Sequence, residues 1–339
     1  MLNEGEGELL AWCDPEEHRE WVRKNKCLSM EDKVIGLSEA VSKFVHDGNY
    51  LTMGGFGHVR VPMAAIYEII RQKRRNLIVA GKTAVHDLDC LIAAGCVGKV
   101  EVAYSFGHEL RGLSPASRRA IETGQVKVAA EWSNAAFQWR FKAAASGLPW
   151  IPAYTMMGTD TFKRSAAKVV NDPFTGRPIC LIPACFPDVA IIHVHRCDKY
   201  GNCQIDGILV EDFELARAAK RLIITTEEIV PNEKIREEPW RTSIPYFYVD
   251  AVVEVPYGCH PCNMPTCYYF DEGHIAEYLD ATRTVEGAKQ YFDKYVYGVD
   301  DFNQYLKLIG GVAKLNYLKK LEQGRAKFVY PWVSVVMGG

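Results

Sequence analysis

Between Asp47 and Pro62 the chain reads DGNYLTMGGFGHVRVP, with Gly54, Gly55 and Gly57 packed between an apolar run and a helical pattern. Glycine accepts positive φ and lets another group come close to the backbone. A strand, a glycine turn and a helix N-terminus together make an anion site. The spacing is not GxGxxG and the Walker lysine is absent, so dinucleotide and P-loop chemistry are excluded. The turn is either a cradle for a ligand or a tight turn with none.

A second stretch, EWSNAAFQWRFKAAASGLP from Glu131 to Pro149, offers a donor. Ser133 is a good N-cap, which puts Asn134 at the first helical position beside unpaired N–H groups. A side-chain amide at that positive end suits a developing oxyanion; the alternative is that Asn134 belongs only to the cap region. A third stretch, PYGCHPCNMPTC, places Cys259, His260, Cys262 and Cys267 together. That is one strong pair short of the usual structural zinc site. Cys180, Cys185, Cys197 and Cys203 are spaced no better, so no metal is expected. His193 and His195 alternate in an apolar run and read as satisfied core histidines. No G-x-S-x-G elbow occurs, and no aromatic–basic interleaving suits nucleic acid.

The elements that must carry these residues alternate. Patterning predicts strands at Tyr50–Met53, Leu77–Gly81, Val100–Tyr104, Val126–Ala130, Ile179–Ile182, Ala190–His195, Leu222–Thr226 and Val249–Val255. It predicts helices at Met63–Arg74, Leu88–Ala94, Pro115–Thr123, Asn134–Ala145, Phe213–Lys220, Val285–Tyr297 and Asp301–Leu321. Ser29 and Asp32 form a capping signal ahead of Val34, Leu37, Val41 and Phe44, which predicts that the body opens on a helix there. Continuously apolar strands such as LIVAG and AIIHVH imply an α/β fold whose mostly parallel sheet has helices on both faces. Residues 1–28 read as an N-terminal extension, 29–321 as the body, and 322–339 as a tail. The end of that tail, Phe328–Gly339, is apolar enough to pack on a partner chain.

Composition bounds the rest. A net charge of −2 and 48% apolar residues describe an ordinary globular chain and argue against nucleic acid as the main partner. The basic run Arg71–Arg75 complements the end of a helix. No apolar stretch approaches a membrane span, and the acidic N-terminus lacks the order of a signal peptide. The 11 scattered cysteines then read as reduced thiols in a cytoplasmic protein.

The motif Asp47-Gly48, apolar strand, Gly54-Gly55-Phe56, Arg60, Pro62 resembles the A subunits of family I CoA-transferases, most of all the glutaconate type. The likeness continues through Ala143–Pro152, Pro187–His193, Thr226–Ile229, Val249–Pro261 and Tyr305–Gly311. It implies a Rossmann-like fold, coenzyme A as substrate, and a homologous B subunit carrying the catalytic glutamate in an α2β2 or larger complex. By this resemblance Gly54, Gly55 and Phe56 lie beside the acyl group. Arg60 either pairs a substrate carboxylate or caps the turn in solvent. Asn134 stands where the transferases usually hold a glutamine that donates to the oxyanion, and where a related ring-opening hydrolase holds a glutamate. The Glu-(Asn/Ser)-Gly turn of B subunits is absent, and Glu272-Gly273 does not fit it. The expected function is the non-nucleophile subunit of a CoA-transferase for a small dicarboxylic acid, inactive alone. The alternatives are a hydrolase or decarboxylase subunit on the same scaffold, or a non-enzymatic acyl-CoA sensor.

Overall fold

Seven apolar runs form the parallel part of one nine-stranded sheet in the computed structural model, which describes residues 1–326; two short strands, Cys203–Gln204 and Thr242–Ile244, extend it antiparallel from Val189–Cys197. The seven are β1 (Tyr50–Met53), β2 (Leu77–Lys82), β3 (Val97–Ala103), β4 (Lys127–Glu131), β5 (Val189–Cys197), β6 (Arg221–Ile229) and β7 (Ala251–Glu254). Their spatial order is β4-β3-β2-β1-β5-β6-β7, every neighbour parallel. Leu51 of β1 pairs Val79 on one side and Val189 on the other. The chain thus steps outward from β1 through β4 and then returns to lay β5 on the opposite edge of β1. In such sheets the ligand crevice opens at the carboxyl end of the strand where order reverses. The glycine turn leaves β1 at that end.

Both faces of the sheet are covered, so successive strand residues feed two different cores. Ile191 packs with Ile66, Val79 and Val253 on one face. Its neighbour Ile192 packs with Phe137, Ala190 and Ile224 on the other. Each such side chain contributes roughly 1.5–3 kcal/mol on burial, which fixes strand register around the turn.

Some elements depart from what the sequence patterns predict. The helix signalled by Ser29 and Asp32 begins only at Leu37, after an earlier helix at Pro15–Asn25, because residues 33–35 run alongside β7: Val252 N–H donates to Lys33 O at 2.8 Å and Ile35 N–H to Val252 O at 3.0 Å. Tertiary pairing there overrides a local capping signal. The long C-terminal helix is two, Phe302–Leu308 and Gly311–Glu322, broken at Gly310 with φ +122°. A second, antiparallel sheet goes unsignalled apart from one strand; it orders Asn3–Glu4, Lys168–Asn171, Pro178–Pro183 and Trp150–Ala153. Residues 1–28 are stitched to the body: Phe186 N–H donates to Ala11 O at 2.6 Å, and Lys26 pairs Asp250 at 2.9 Å with both side chains buried. The apolar tail Phe328–Gly339 lies outside the described residues. Among the described residues no helix is long and apolar enough to cross a membrane, and no cysteines pair.

The buried polar layer under the C-terminal helices sets a pH dependence. His274 contacts the Tyr291 hydroxyl at 2.8 Å. Burial first, then the nearby His260, pushes its imidazole from an ordinary 6.5 down to about 3. Unfolded, that ring takes a proton below 6.5; folded, it does not. Its contribution is therefore intact above pH 6.5 and is lost as pH falls, by roughly 1.4 kcal/mol per unit. Urea melts at pH 7.5 and 5 should differ by about 2 kcal/mol from this group alone, and His274→Gln should flatten that part of the slope. An unchanged slope would remove His274 as its source.

Candidate functional site

The glycines are required by the protein's own packing. A Cβ on Gly54 would lie 2.6 Å from Asp212 Oδ1, and one on Gly55, at φ +87°, would lie 2.4 Å from Val59 O. The turn's amides are also committed. Gly54 N–H donates to Ile191 O at 2.8 Å, Phe56 N–H to Val59 O at 2.9 Å and Gly57 N–H to Thr83 O at 3.0 Å. Gly55 N–H donates to Asp212 Oδ1 at 3.1 Å. The expected N–H cradle is thus filled by protein acceptors, and the turn presents a side chain instead: Phe56, 40% exposed.

Arg60 is neither in solvent nor free. Its guanidinium is 1% exposed and forks onto Asp212, Nη1 to Oδ1 at 3.0 Å and Nη2 to Oδ2 at 2.6 Å, with Nη2 also donating to Ile208 O at 2.8 Å. Burial alone would raise the Asp212 carboxyl; Arg60 outweighs it and holds that group below the usual range. The pair clamps the turn to the helix Asp212–Ala218.

Asn134 is exposed at the first position of its helix, with Ser133 Oγ accepting Ala136 N–H at 3.1 Å. Thr83 Oγ donates to Asn134 Oδ1 at 3.1 Å, and Nδ2 has no partner among the described residues. The amide is therefore aimed with its donor outward. The same Thr83 accepts Gly57 N–H through its carbonyl, so one residue couples turn and donor. Thr83 holds φ +47°, costly for a β-branched side chain. Arg60, Tyr104, Phe106 and Glu109, in the loops after β1 and β3, also have positive φ. Such strain collects at functional sites.

Buried charge anchors the donor helix from below. Glu101 of β3 accepts from Trp132 Nε1 at 2.8 Å, Tyr50 Oη at 2.5 Å, and Arg140. Arg140 lies on the Asn134 helix and also donates to Leu10 O at 2.8 Å, tying in the N-terminal segment. Beside the turn, Lys82 Nζ sits 2.7 Å from Glu211 Oε2 without hydrogen-bond alignment, and 5.3 Å from the centre of the Phe56 ring. Burial raises the Glu211 carboxyl to about 7, against the pull of Lys82. These groups line a shallow crevice with Gly54, Gly55, Thr83 and Asp87.

The coenzyme A transferase family profile matches residues 34–255. The chain belongs to the coenzyme A transferase family. It is 32% identical over 301 residues to the A subunit of glutaconate CoA-transferase from Acidaminococcus fermentans, 84% of this chain and 94% of that one. The crystal structure of that transferase superimposes with a TM-score of 0.81 at 31% identity, over 84% of this chain and 95% of its match. The A subunit of the 3-oxoadipate CoA-transferase of Pseudomonas knackmussii is 34% identical over 277 residues, 80% of this chain and 96% of the relative. The IpdA subunit of a cholesterol ring-cleaving hydrolase from Rhodococcus jostii is 28% identical over 284 residues, 81% and 95%. The shared fold is the mixed α/β one the sequence implied.

Within this CoA-transferase family member the other sequence candidates are scaffold. His193 bonds Thr225 at 2.8 Å and Glu227 at 2.9 Å, and His195 bonds Pro265 O at 2.8 Å. Cys259 and Cys262 are buried, and burial pushes both thiols well above their ordinary range. Glu272 pairs Arg111 and opens a helix. Sequence reasoning missed Thr83, Lys82, Glu211 and Asp212. Only Lys82, a charge closing an apolar strand, carried any signal; the rest become partners through contacts distant in sequence.

Proposed function

We propose that this chain is the A subunit of a two-subunit CoA-transferase that moves coenzyme A between an acyl-CoA and a small dicarboxylic acid. The single observation that carries the reading is Asn134: an exposed helix-end amide, oriented by Thr83, with Nδ2 uncommitted beside the glycine turn. The family membership and the relatives that are A subunits of CoA-transferases support it. The partner's glutamate attacks the thioester carbonyl, and CoA thiolate leaves an acyl-glutamyl anhydride. Thiolate then attacks the glutamyl carbonyl, giving the glutamyl-CoA thioester and free acid; a second carboxylate collects the CoA. Each step builds an oxyanion, and Asn134 Nδ2 stabilises it when placed roughly 2.7–3.1 Å away. Phe56 packs on the acyl chain. Arg60, already paired, holds the turn rather than the substrate.

An exposed apolar rim surrounds this open site: Phe56, Tyr104, Leu110, Leu113, Ile208 and Leu209. Such a patch suits burial against the B subunit. A hydrolase reading draws on the 28% identical ring-cleaving relative. Against it, an amide at Asn134 cannot act as a general base. Borohydride reduction of the complex during turnover with acyl-CoA decides the matter. Modification should fall on a glutamate of the partner. A mark on this chain, where Glu109 is an exposed carboxylate beside Gly57, would overturn the reading.

A further inference from the structure

Three histidines, two from loops and one from the first turn of a helix, meet at the carboxyl edge of the sheet. His58 lies in the turn after β1, His86 opens the helix after β2, and His108 lies in the loop after β3. They are 3%, 0% and 0% exposed. One ligating nitrogen from each lies within 4.8 Å of the other two. His58 Nε2 and His108 Nδ1 are 3.1 Å apart, and the His86 ring centre is 6.1 Å and 5.8 Å from theirs.

Their hydrogen bonding does not close. His58 Nδ1, both nitrogens of His86 and His108 Nε2 are buried without a partner. Buried polar atoms are nearly always satisfied, and leaving one unmet is costly. Four in one knot point to a missing partner. Each imidazole can offer a ring-nitrogen lone pair to a metal. A tetrahedral ion with bonds of about 2.0–2.1 Å sets its nitrogens roughly 3.3 Å apart; here they lie within 4.8 Å of one another, so the rings would close in on the ion. The surrounding charge permits a cation. Arg111, the guanidinium that faces the cluster, is neutralised by Glu272. Asp87, next to His86, is a buried carboxyl whose Oδ1 accepts Val85 N–H at 2.9 Å. Asn263 borders the cluster, its N–H donating to His58 O at 2.9 Å and its Oδ1 buried without a partner.

We propose that His58, His86 and His108 form a three-imidazole site for one divalent ion of the zinc class, tying the glycine turn to the loops after β2 and β3. Neutral nitrogen donors select zinc, cobalt or nickel over magnesium or calcium. With a water in the fourth position and all three imidazoles buried, the ion's work is to hold the turn in shape. It goes beyond the transferase reading and does not depend on it. It also departs from the expectation of no metal, which rests on cysteine spacing and does not gather these residues.

The test uses the tag-free full-length chain, stripped with chelator and titrated with Co²⁺ and then Zn²⁺. The expected result is one Co²⁺ per chain with the visible band of a tetrahedral site and no thiolate charge-transfer band. Zn²⁺ should displace it and raise Tm by several degrees. His86→Asn and His108→Asn should each lose the band and the Zn²⁺-dependent rise in Tm. Should a variant fail to fold, the wild-type spectrum and melt still decide. Absence of both the band and the Tm shift, a thiolate band, or a band that survives His108→Asn would overturn the proposal.

Discussion

Asn134→Ala lowers kcat of the assembled enzyme by about 10²–10³ and leaves KM within a few-fold, because the lost donor acts on charge present only in the transition state. The Thr83 contact is the reason. Its hydroxyl occupies Oδ1 at 3.1 Å, so Nδ2 is aimed outward before substrate arrives. Asn134→Asp separates this role from capping. A carboxylate at the first helical position suits the positive helix end and preserves folding. It removes the donor, however, and sets negative charge against the oxyanion, so activity should fall at least as far as in Asn134→Ala. Steady-state kinetics and melts on the same preparations read both effects. If Asn134→Asp melts normally and keeps activity within threefold, Asn134 is a cap residue and nothing more.

Arg60→Met should destabilise the fold by about 3–5 kcal/mol, the cost of stranding a buried carboxylate. Asp212 would keep only weak backbone donors, Gly55 N–H at 3.1 Å and Val210 N–H at 3.3 Å. Adding Asp212→Asn should restore most of the loss, since a neutral amide still accepts from Gly55 and carries no charge to solvate. Urea midpoints at constant m measure it. If Arg60 instead served substrate, Arg60→Met would melt normally and show a raised KM for dicarboxylates.

How much of this is legible in the sequence depends on the range of the contacts. The strand Tyr50–Met53 and the helix Asn134–Ala145 fall where their patterning places them, because local periodicity and a serine cap decide both. The glycine turn is visible in the sequence, but its cause is not. The groups crowding it are Asp212 and Ile192, brought in by β5 and the helix Asp212–Ala218, and no local pattern encodes their approach. Thr83 looks like an ordinary residue after a strand; its positive φ and two partners exist only once β2, the turn and the Asn134 helix are assembled. The histidine cluster is hidden for the same reason. Ser29 and Asp32 err in the opposite sense: a sound capping signal loses to strand-like pairing with β7.

On the proposed function, this chain supplies an oriented donor and a companion chain supplies the nucleophile. Exchange of labelled CoA between a dicarboxylyl-CoA and free acid separates the two contributions, measured with the purified chain alone and again after adding the B subunit. The chain alone should show no exchange above background, and the complex should show ping-pong exchange. Turnover by the isolated chain at a rate comparable to the complex would refute this division of labour.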